Sequence, residues 1–82
     1  MTKTQLYHNL TSYIPLHDMW SWNGRQYYRF TCNDIDMLNR LFGCTAEMVL
    51  NVEGKTYPIW RNMDGIHARA FINLNDGYLW VY

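Results

Sequence analysis

The sequence carries no net charge, because seven lysines and arginines balance seven aspartates and glutamates over 82 residues. Non-specific binding to nucleic acid or to an acidic membrane usually depends on an excess of positive charge. The charge balance therefore disfavours both kinds of partner, unless a local basic patch supplies what the whole chain lacks.

Long apolar runs are also missing. No stretch approaches the roughly 20 apolar residues that a membrane-spanning helix needs, and residues 1–16 contain no run of the length that a secretory signal requires. We therefore expect no membrane association and predict a cytoplasmic location.

Cysteine, histidine and serine are scarce and show no catalytic or metal-binding spacing. Cys32 and Cys44 flank a predicted helix and lie about 18 Å apart at a rise of 1.5 Å per residue, too far for a disulfide. No C-x-x-C, H-x-x-x-H, G-x-S-x-G or glycine-rich phosphate motif occurs. We therefore predict two free thiols, no metal, no cofactor and no enzymatic activity. The enzyme alternative pairs Cys32 or Cys44 with His67, and Cys32 would lie at a helix N-terminus, where a thiolate is favoured.

One segment, residues 31–43, has the spacing of a helix together with start and stop signals. Its apolar residues recur at three- and four-residue intervals: Ile35, Leu38, Leu41 and Phe42. Thr31 is the predicted N-cap, with Asp34 three residues later and Asn33 as the rival cap, and Gly43 suits the left-handed position after the helix. Residues 4–14 have weaker helical spacing; we predict a short helix there, with an irregular arm or an edge strand as alternatives.

Glycine-containing turns divide the rest of the chain into short alternating segments typical of strands. The clearest pair surrounds Asn23-Gly24 in residues 18–30, and later strands are predicted over 46–52, 55–61, 66–72 and 78–82. Pro58 should lie at a sheet edge or a bulge, because proline cannot donate to a strand ladder. The alternating apolar residues of the third strand should face the helix: Ala46, Met48, Leu50 and Val52.

Together these patterns predict one α+β domain over residues 1–82. It should contain an antiparallel sheet of five or six strands, in the order hairpin, helix and meander, with the helix of residues 31–42 packed on one face.

Aromatic residues, which make up 17% of the chain, are more numerous than a core of this size can hold. The large rings that cannot all be buried are Trp20, Trp22, Tyr27, Trp60, Phe71, Trp80 and Tyr82. Tyr, Trp and Arg dominate interface hot spots. We therefore predict a protein-binding sheet face formed by Tyr27, Trp60, Arg61, His67, Arg69 and Phe71. The alternatives are a second small core beneath the N-terminal segment and burial in a homodimer.

These features favour a small non-enzymatic module that binds a larger protein and occludes part of its surface. One concrete form is a phage or mobile-element inhibitor of a host defence system, such as an anti-CRISPR protein, although no residue identifies that target. The alternative function is a single-stranded nucleic-acid binder whose exposed aromatics stack on bases. Its charge would come from Arg25, Arg29, Arg61 and Arg69.

Overall fold

The computed structural model describes residues 2–61, 63 and 68–82, which form an α+β fold. Its helices and strands are α1 (Lys3–Tyr13), β1 (Leu16–Trp22), β2 (Arg25–Phe30), α2 (Ile35–Phe42), β3 (Glu47–Leu50), β4 (Thr56–Trp60), β5 (Ala70–Ile72) and β6 (Leu79–Val81). The strands of this described part form one antiparallel sheet in the order β1-β2-β6-β5-β4-β3, which does not close into a barrel. The predicted fold class is confirmed.

The sheet joins two units that are separate in the sequence. Strands β1 and β2 form the hairpin around Asn23-Gly24, and β3 to β6 form a meander. The last strand then pairs with β2, placing Val81 opposite Tyr28 and Leu79 opposite Phe30. The C-terminal strand is therefore central in the sheet.

Both helices contribute to the core on one face of the sheet. From α1, Tyr7 packs on Tyr28 of β2 with ring centroids 4.1 Å apart, and from α2, Phe42 packs on Trp60 of β4 at 5.1 Å. The large side chains buried with them include Leu6, Leu10, Phe30, Leu38, Leu79 and Val81. We call this the core face of the sheet.

Helix α1 confirms the short N-terminal helix, and its start explains why weak helix formers adopt it. Thr2 Oγ1 accepts from Gln5 N at 3.1 Å, and Gln5 Oε1 accepts from Thr2 N at 2.7 Å, which is a complete capping box. Leu6 and Leu10 are buried, and the helix ends before Pro15. Capping and two buried leucines thus compensate for the Thr and Asn residues.

Helix α2 begins later than the predicted position, so Thr31 is not its N-cap. The Thr31 amide donates to the carbonyl of Pro15 at 3.0 Å, which extends the β1–β2 ladder and keeps the chain out of the helix. Asp34 is the N-cap, and its side chain accepts from Met37 N at 3.2 Å. The predicted end is confirmed, because Gly43 has φ of 71°.

Strand β4 is an interior strand, so the prediction that Pro58 marks a sheet edge or a bulge is wrong. The amide of Asn51 donates to the carbonyl of Lys55, which makes these two residues a hydrogen-bonded pair. Alternation along an antiparallel ladder then makes Met48 and Pro58 a non-hydrogen-bonded pair. Strand β3 therefore needs no N–H from Pro58, and the pairing with β5 stops one residue short of it.

The apolar residues of β3 do not all face the helix as predicted. Met48, Leu50 and Val52 are exposed, and Ala46 is half-buried against the core. The reason is distance across the sheet, because α2 packs on Trp60 and β3 lies beyond that strand at the edge. Of the strand predicted over 66–72, residues 70–72 form β5, while residues 66–67 and most of the turn predicted over 63–65 lie outside the described residues.

Trp60 is completely buried on the core face. Its indole N–H is hydrogen-bonded to a residue of α2. Trp60 Nε1 donates to Asn39 Oδ1 at 2.8 Å, and the Ala46 amide donates to the same oxygen at 2.9 Å. One side-chain acceptor therefore holds α2, β4 and the chain that leads into β3.

Replacing Asn39 with alanine should lower the free energy of unfolding by about 1–3 kcal/mol, since a buried indole N–H loses its acceptor. Asn39→Asp retains an acceptor oxygen and should lose less, apart from a small unfavourable interaction with the C-terminal end of the helix dipole. Urea unfolding followed by circular dichroism measures both variants. Equal losses in the two would contradict the role given to this oxygen.

Candidate protein-binding face

The opposite face of the sheet is covered largely by aromatic side chains. Side chains alternate along each strand, so residues opposite one another across the ladder share a face. The rings on this side belong to Trp20, Trp22, Tyr27, Tyr57, Phe71, Tyr78, Trp80 and Tyr82. We call this surface the aromatic face.

One row of rings crosses three neighbouring strands. Trp20, Tyr27 and Tyr82 stack side by side, with centroids 5.5 and 5.4 Å apart and interplanar angles of 11° and 21°. These spacings are close to the distance between neighbouring strands, so the rings turn their faces towards each other. Rings stacked in this way present mainly their edges, which carry the positive part of the ring quadrupole, to other molecules.

A second row lies beside the first. Phe71 and Trp80 are opposite each other, with centroids 5.7 Å apart, and Trp80 meets Trp20 edge to face at 5.1 Å. Phe71 also meets Tyr82 edge to face at 5.9 Å and Tyr57 at 6.3 Å. The two rows therefore form one continuous packed layer of rings rather than isolated surface residues.

Arg29 is the charged centre of this layer. Its guanidinium donates to both carboxylate oxygens of Asp18, with Nε 2.7 Å from Oδ1, and lies 3.4 Å from Asp76 Oδ2. It also lies 5.4 Å from the ring centroid of Trp20 and 5.8 Å from that of Trp80. Bidentate pairing and cation–π contact together fix the position of this side chain.

Asp76 attaches the last turn to the same layer. Its Oδ1 accepts from the Tyr78 amide at 2.9 Å, and its Oδ2 accepts from Trp80 Nε1 at 2.9 Å. The Tyr78 ring is in turn stacked on His17 at 4.4 Å and lies 5.3 Å from Arg29. The charged groups of Asp18, Arg29 and Asp76 therefore pair with one another within the layer.

Acid should weaken this arrangement through Asp18. The hydrogen bonds from Arg29 lower the pKa of the Asp18 carboxyl below its ordinary value, against the opposing effect of burial. The Asp18 carboxyl therefore takes up a proton more readily in the unfolded chain than in the folded one. Its contribution to the free energy of unfolding is complete above the unfolded pKa of about 3.9, and it is lost as the pH falls through the lower folded pKa. We expect the free energy of unfolding to fall more steeply below about pH 4 in the wild type than in Asp18→Asn. Parallel pH profiles of the two proteins would contradict this assignment.

Most of the predicted binding residues lie on the aromatic face. Tyr27, Arg61, Arg69 and Phe71 share it, with Arg61 Nε 3.6 Å from Glu47 Oε2. Trp60 does not: it is 0% exposed on the core face, so the prediction that it belongs to the same surface is wrong. His67 lies outside the described residues.

Sequence reasoning missed the residues that organise this surface. The sequence pattern marks Trp20 and Trp80 only as surplus aromatics and offers Arg29 only as a charge for the alternative function. The signal that identifies them is the strand register, which places Asp18, Arg29, Trp80 and Phe71 in successive positions across the sheet. That register depends on β6 pairing with β2, a long-range contact.

The described residues contain no cluster that could hold a metal ion, and their two cysteines are not joined in a disulfide. In residues 2–61, 63 and 68–82, no three His, Cys, Asp or Glu side chains lie together as a metal site would require. Cys32 and Cys44 are free thiols, and burial raises the pKa of the Cys44 thiol, which disfavours its thiolate. Neither described helix has the length and apolarity of a membrane span.

No known protein family matches the chain, and no match was found among curated proteins or solved structures. The class that its own geometry defines is an α+β domain with helices on one face of an antiparallel sheet and a layer of aromatic rings on the other.

Proposed function

We propose that this chain is a non-enzymatic protein-binding module that uses the aromatic face to cover part of the surface of a larger protein. The observation that supports the proposal is the continuous ring layer on the sheet face opposite to the one on which Tyr7 and Phe42 pack. Large apolar patches bordered by polar groups are typical of protein contact sites. Tyr, Trp and Arg are the residue types that contribute most to such contacts.

The orientation of the rings favours a protein over nucleobases as the partner. Base stacking needs accessible ring faces, whereas Trp20, Tyr27 and Tyr82 turn their faces to one another. Outward ring edges and a pre-organised arginine suit a partner's carbonyl groups, carboxylates and apolar side chains. Preorganisation also reduces the entropy lost on binding, because the rings already hold each other in place.

Charge on the aromatic face supports the same choice. Arg29 is paired with Asp18 and Asp76, and Arg61 is paired with Glu47, so two of the four arginines on this face are already neutralised. Within the described residues, Arg25 and Arg69 have no carboxylate partner. These two arginines, with the exposed Trp22, are the features that favour single-stranded nucleic acid as the second candidate.

The form of the module that we propose is an inhibitor, of the kind that phages and mobile elements use against host defence systems. A small domain that masks a functional surface needs affinity and shape rather than catalytic groups. Such masking needs a face that a partner can reach, and Trp22 on the aromatic face is well exposed.

Affinity capture from nuclease-treated bacterial lysate tests the proposal. The bait is the wild-type chain, compared with the double variant Trp22→Ala, Tyr27→Ala, which removes two rings of the aromatic face. The matched control is Tyr13→Ala, Met19→Ala, which removes two exposed side chains away from the aromatic face. All three proteins must first give the same folded circular dichroism spectrum.

We expect one protein to be retained in raised salt by the wild type and the control, and to be lost by the aromatic-face variant. Retention by all three baits would contradict the proposal. Retention that requires intact nucleic acid and falls steeply with salt would instead support the single-stranded nucleic-acid function.

A further inference from the structure

We propose that the free edge of β3 pairs with the same edge of a second copy of this chain, forming a symmetric antiparallel dimer. The sheet has two edge strands, β1 and β3. Strand β1 is protected by a register irregularity between Leu16 and Asp18, a device that discourages edge-to-edge pairing. Strand β3 pairs with β4 in an unbroken register and contains neither lysine nor proline.

Among the described residues, no strand pairs with the outer edge of β3. Because Asn51 donates to Lys55, the odd-numbered residues Glu47 and Val49 form the hydrogen-bonded pairs with β4. The N–H and C=O groups of Met48 and Leu50 consequently point away from β4, along the free edge. These four groups form a short template for another strand.

The side chains beside this edge are apolar and unusually accessible. Met48 is 55% exposed and Leu50 is 68% exposed, on a part of the core face that α2 leaves uncovered. The charged residue of the strand, Glu47, lies on the opposite face beside Arg61. An apolar edge without a protecting charge on its exposed side favours association over solvation.

A second copy is the occupant that this edge fits, because one register is self-complementary. With Val49 opposite Val49 of the second copy, Met48 lies opposite Leu50 and Leu50 opposite Met48. Both outward-facing residues of each chain then exchange backbone hydrogen bonds, and each apolar side chain meets another. In the same register Glu47 lies opposite Asn51, so no like charges face each other.

Formation of this dimer does not depend on the proposed protein-binding function. If both hold, the dimer adds a second binding face. A two-fold axis that relates antiparallel edge strands is perpendicular to the sheet, so the aromatic faces of both copies lie on the same side. The dimer would therefore present two binding faces together, which favours a partner with repeated or paired sites. Its formation requires no partner other than the chain itself.

Sedimentation equilibrium of the purified chain over a wide dilution series tests the proposal. We expect the wild type to form a dimer, and the double variant Met48→Lys, Leu50→Lys to raise the dimer dissociation constant by about tenfold or more, because lysines would face lysines across the two-fold axis. Leu50→Pro should also weaken the dimer, since it removes an N–H that the monomer does not use in pairing with β4. Tyr13→Lys, at a residue that is 69% exposed on α1, is the control and should dimerise like the wild type.

Amide hydrogen exchange of the wild type gives a second readout that needs no variant. The amides of Met48 and Leu50 should become protected as the protein concentration rises, while the amide of Val49 is protected at every concentration. A wild type that stays monomeric throughout the series overturns the proposal. So does a dimer that persists in the double-lysine variant, or exchange at Met48 and Leu50 that is independent of concentration.

Discussion

Trp60→Ala is expected to lower the free energy of unfolding by about 3–5 kcal/mol, the range for truncating a large buried aromatic residue. Trp60 has no exposed surface, packs against Phe42 at 5.1 Å, and donates its indole N–H to Asn39. The alanine variant would leave a cavity between α2 and β4 and an acceptor without its donor. For a domain of this size such a loss approaches the whole stability, so the variant should be largely unfolded at 37 °C.

The matched control for this prediction is Trp22→Ala, which makes the same chemical change at a residue that is 63% exposed. Trp22 contacts Tyr27 at a centroid distance of 6.3 Å, and we expect its loss to cost less than about 1 kcal/mol. Urea denaturation measured by circular dichroism separates the two variants. Similar midpoints for Trp60→Ala and Trp22→Ala would contradict the assignment of Trp60 to the core face.

Tyr27→Ala is expected to weaken binding of the protein partner by about 2–4 kcal/mol, which corresponds to roughly thirtyfold to a thousandfold in the dissociation constant. Tyr27 stands between Trp20 and Tyr82 in the ring row, so its removal deletes a contact ring and releases its two neighbours. Central aromatic residues of this kind dominate the affinity of protein interfaces. Isothermal titration calorimetry with the captured partner measures the effect.

Tyr13→Ala is the control for the binding measurement. Tyr13 lies at the end of α1, the helix that packs on the core face, and is more exposed than most aromatic residues of the chain. We expect its loss to change the affinity less than about twofold, as for surface residues outside an interface. An equal loss of affinity in Tyr13→Ala and Tyr27→Ala would place the interface elsewhere.

Local signals in the sequence were sufficient to predict the turns and helix ends that neighbouring residues determine. Asn23-Gly24 determines a two-residue hairpin by turn chemistry alone, and Gly43 ends α2 because it adopts a positive φ. The start of α2 was predicted wrongly because the Thr31 amide bonds to Pro15, a partner that only the folded hairpin supplies. The helix boundary thus depends on tertiary contact at one end and on local sequence at the other.

The face of the sheet on which each aromatic residue lies was harder to predict for a similar reason. In β4 three consecutive residues, Pro58, Ile59 and Trp60, are buried, so the alternation that would distinguish the two faces is hidden. Only the pairing of Trp60 with Ala70, and of Ile59 with Phe71, shows which side each one occupies. Arg29 likewise looked like an ordinary surface charge, because its partners Asp18 and Asp76 come from β1 and from the last turn of the chain.

The most direct test of the central claim is hydroxyl-radical footprinting of the chain alone and in complex with its captured partner, read by mass spectrometry. In the free chain we expect strong oxidation of Trp22 and Tyr13 and little oxidation of Trp60, in the order of their exposure. On complex formation we expect protection of Trp22 and Tyr27, with Tyr13 unchanged. Protection of Tyr13 on the helical side, with Trp22 and Tyr27 still oxidised as in the free chain, would contradict the claim that the aromatic face binds the partner.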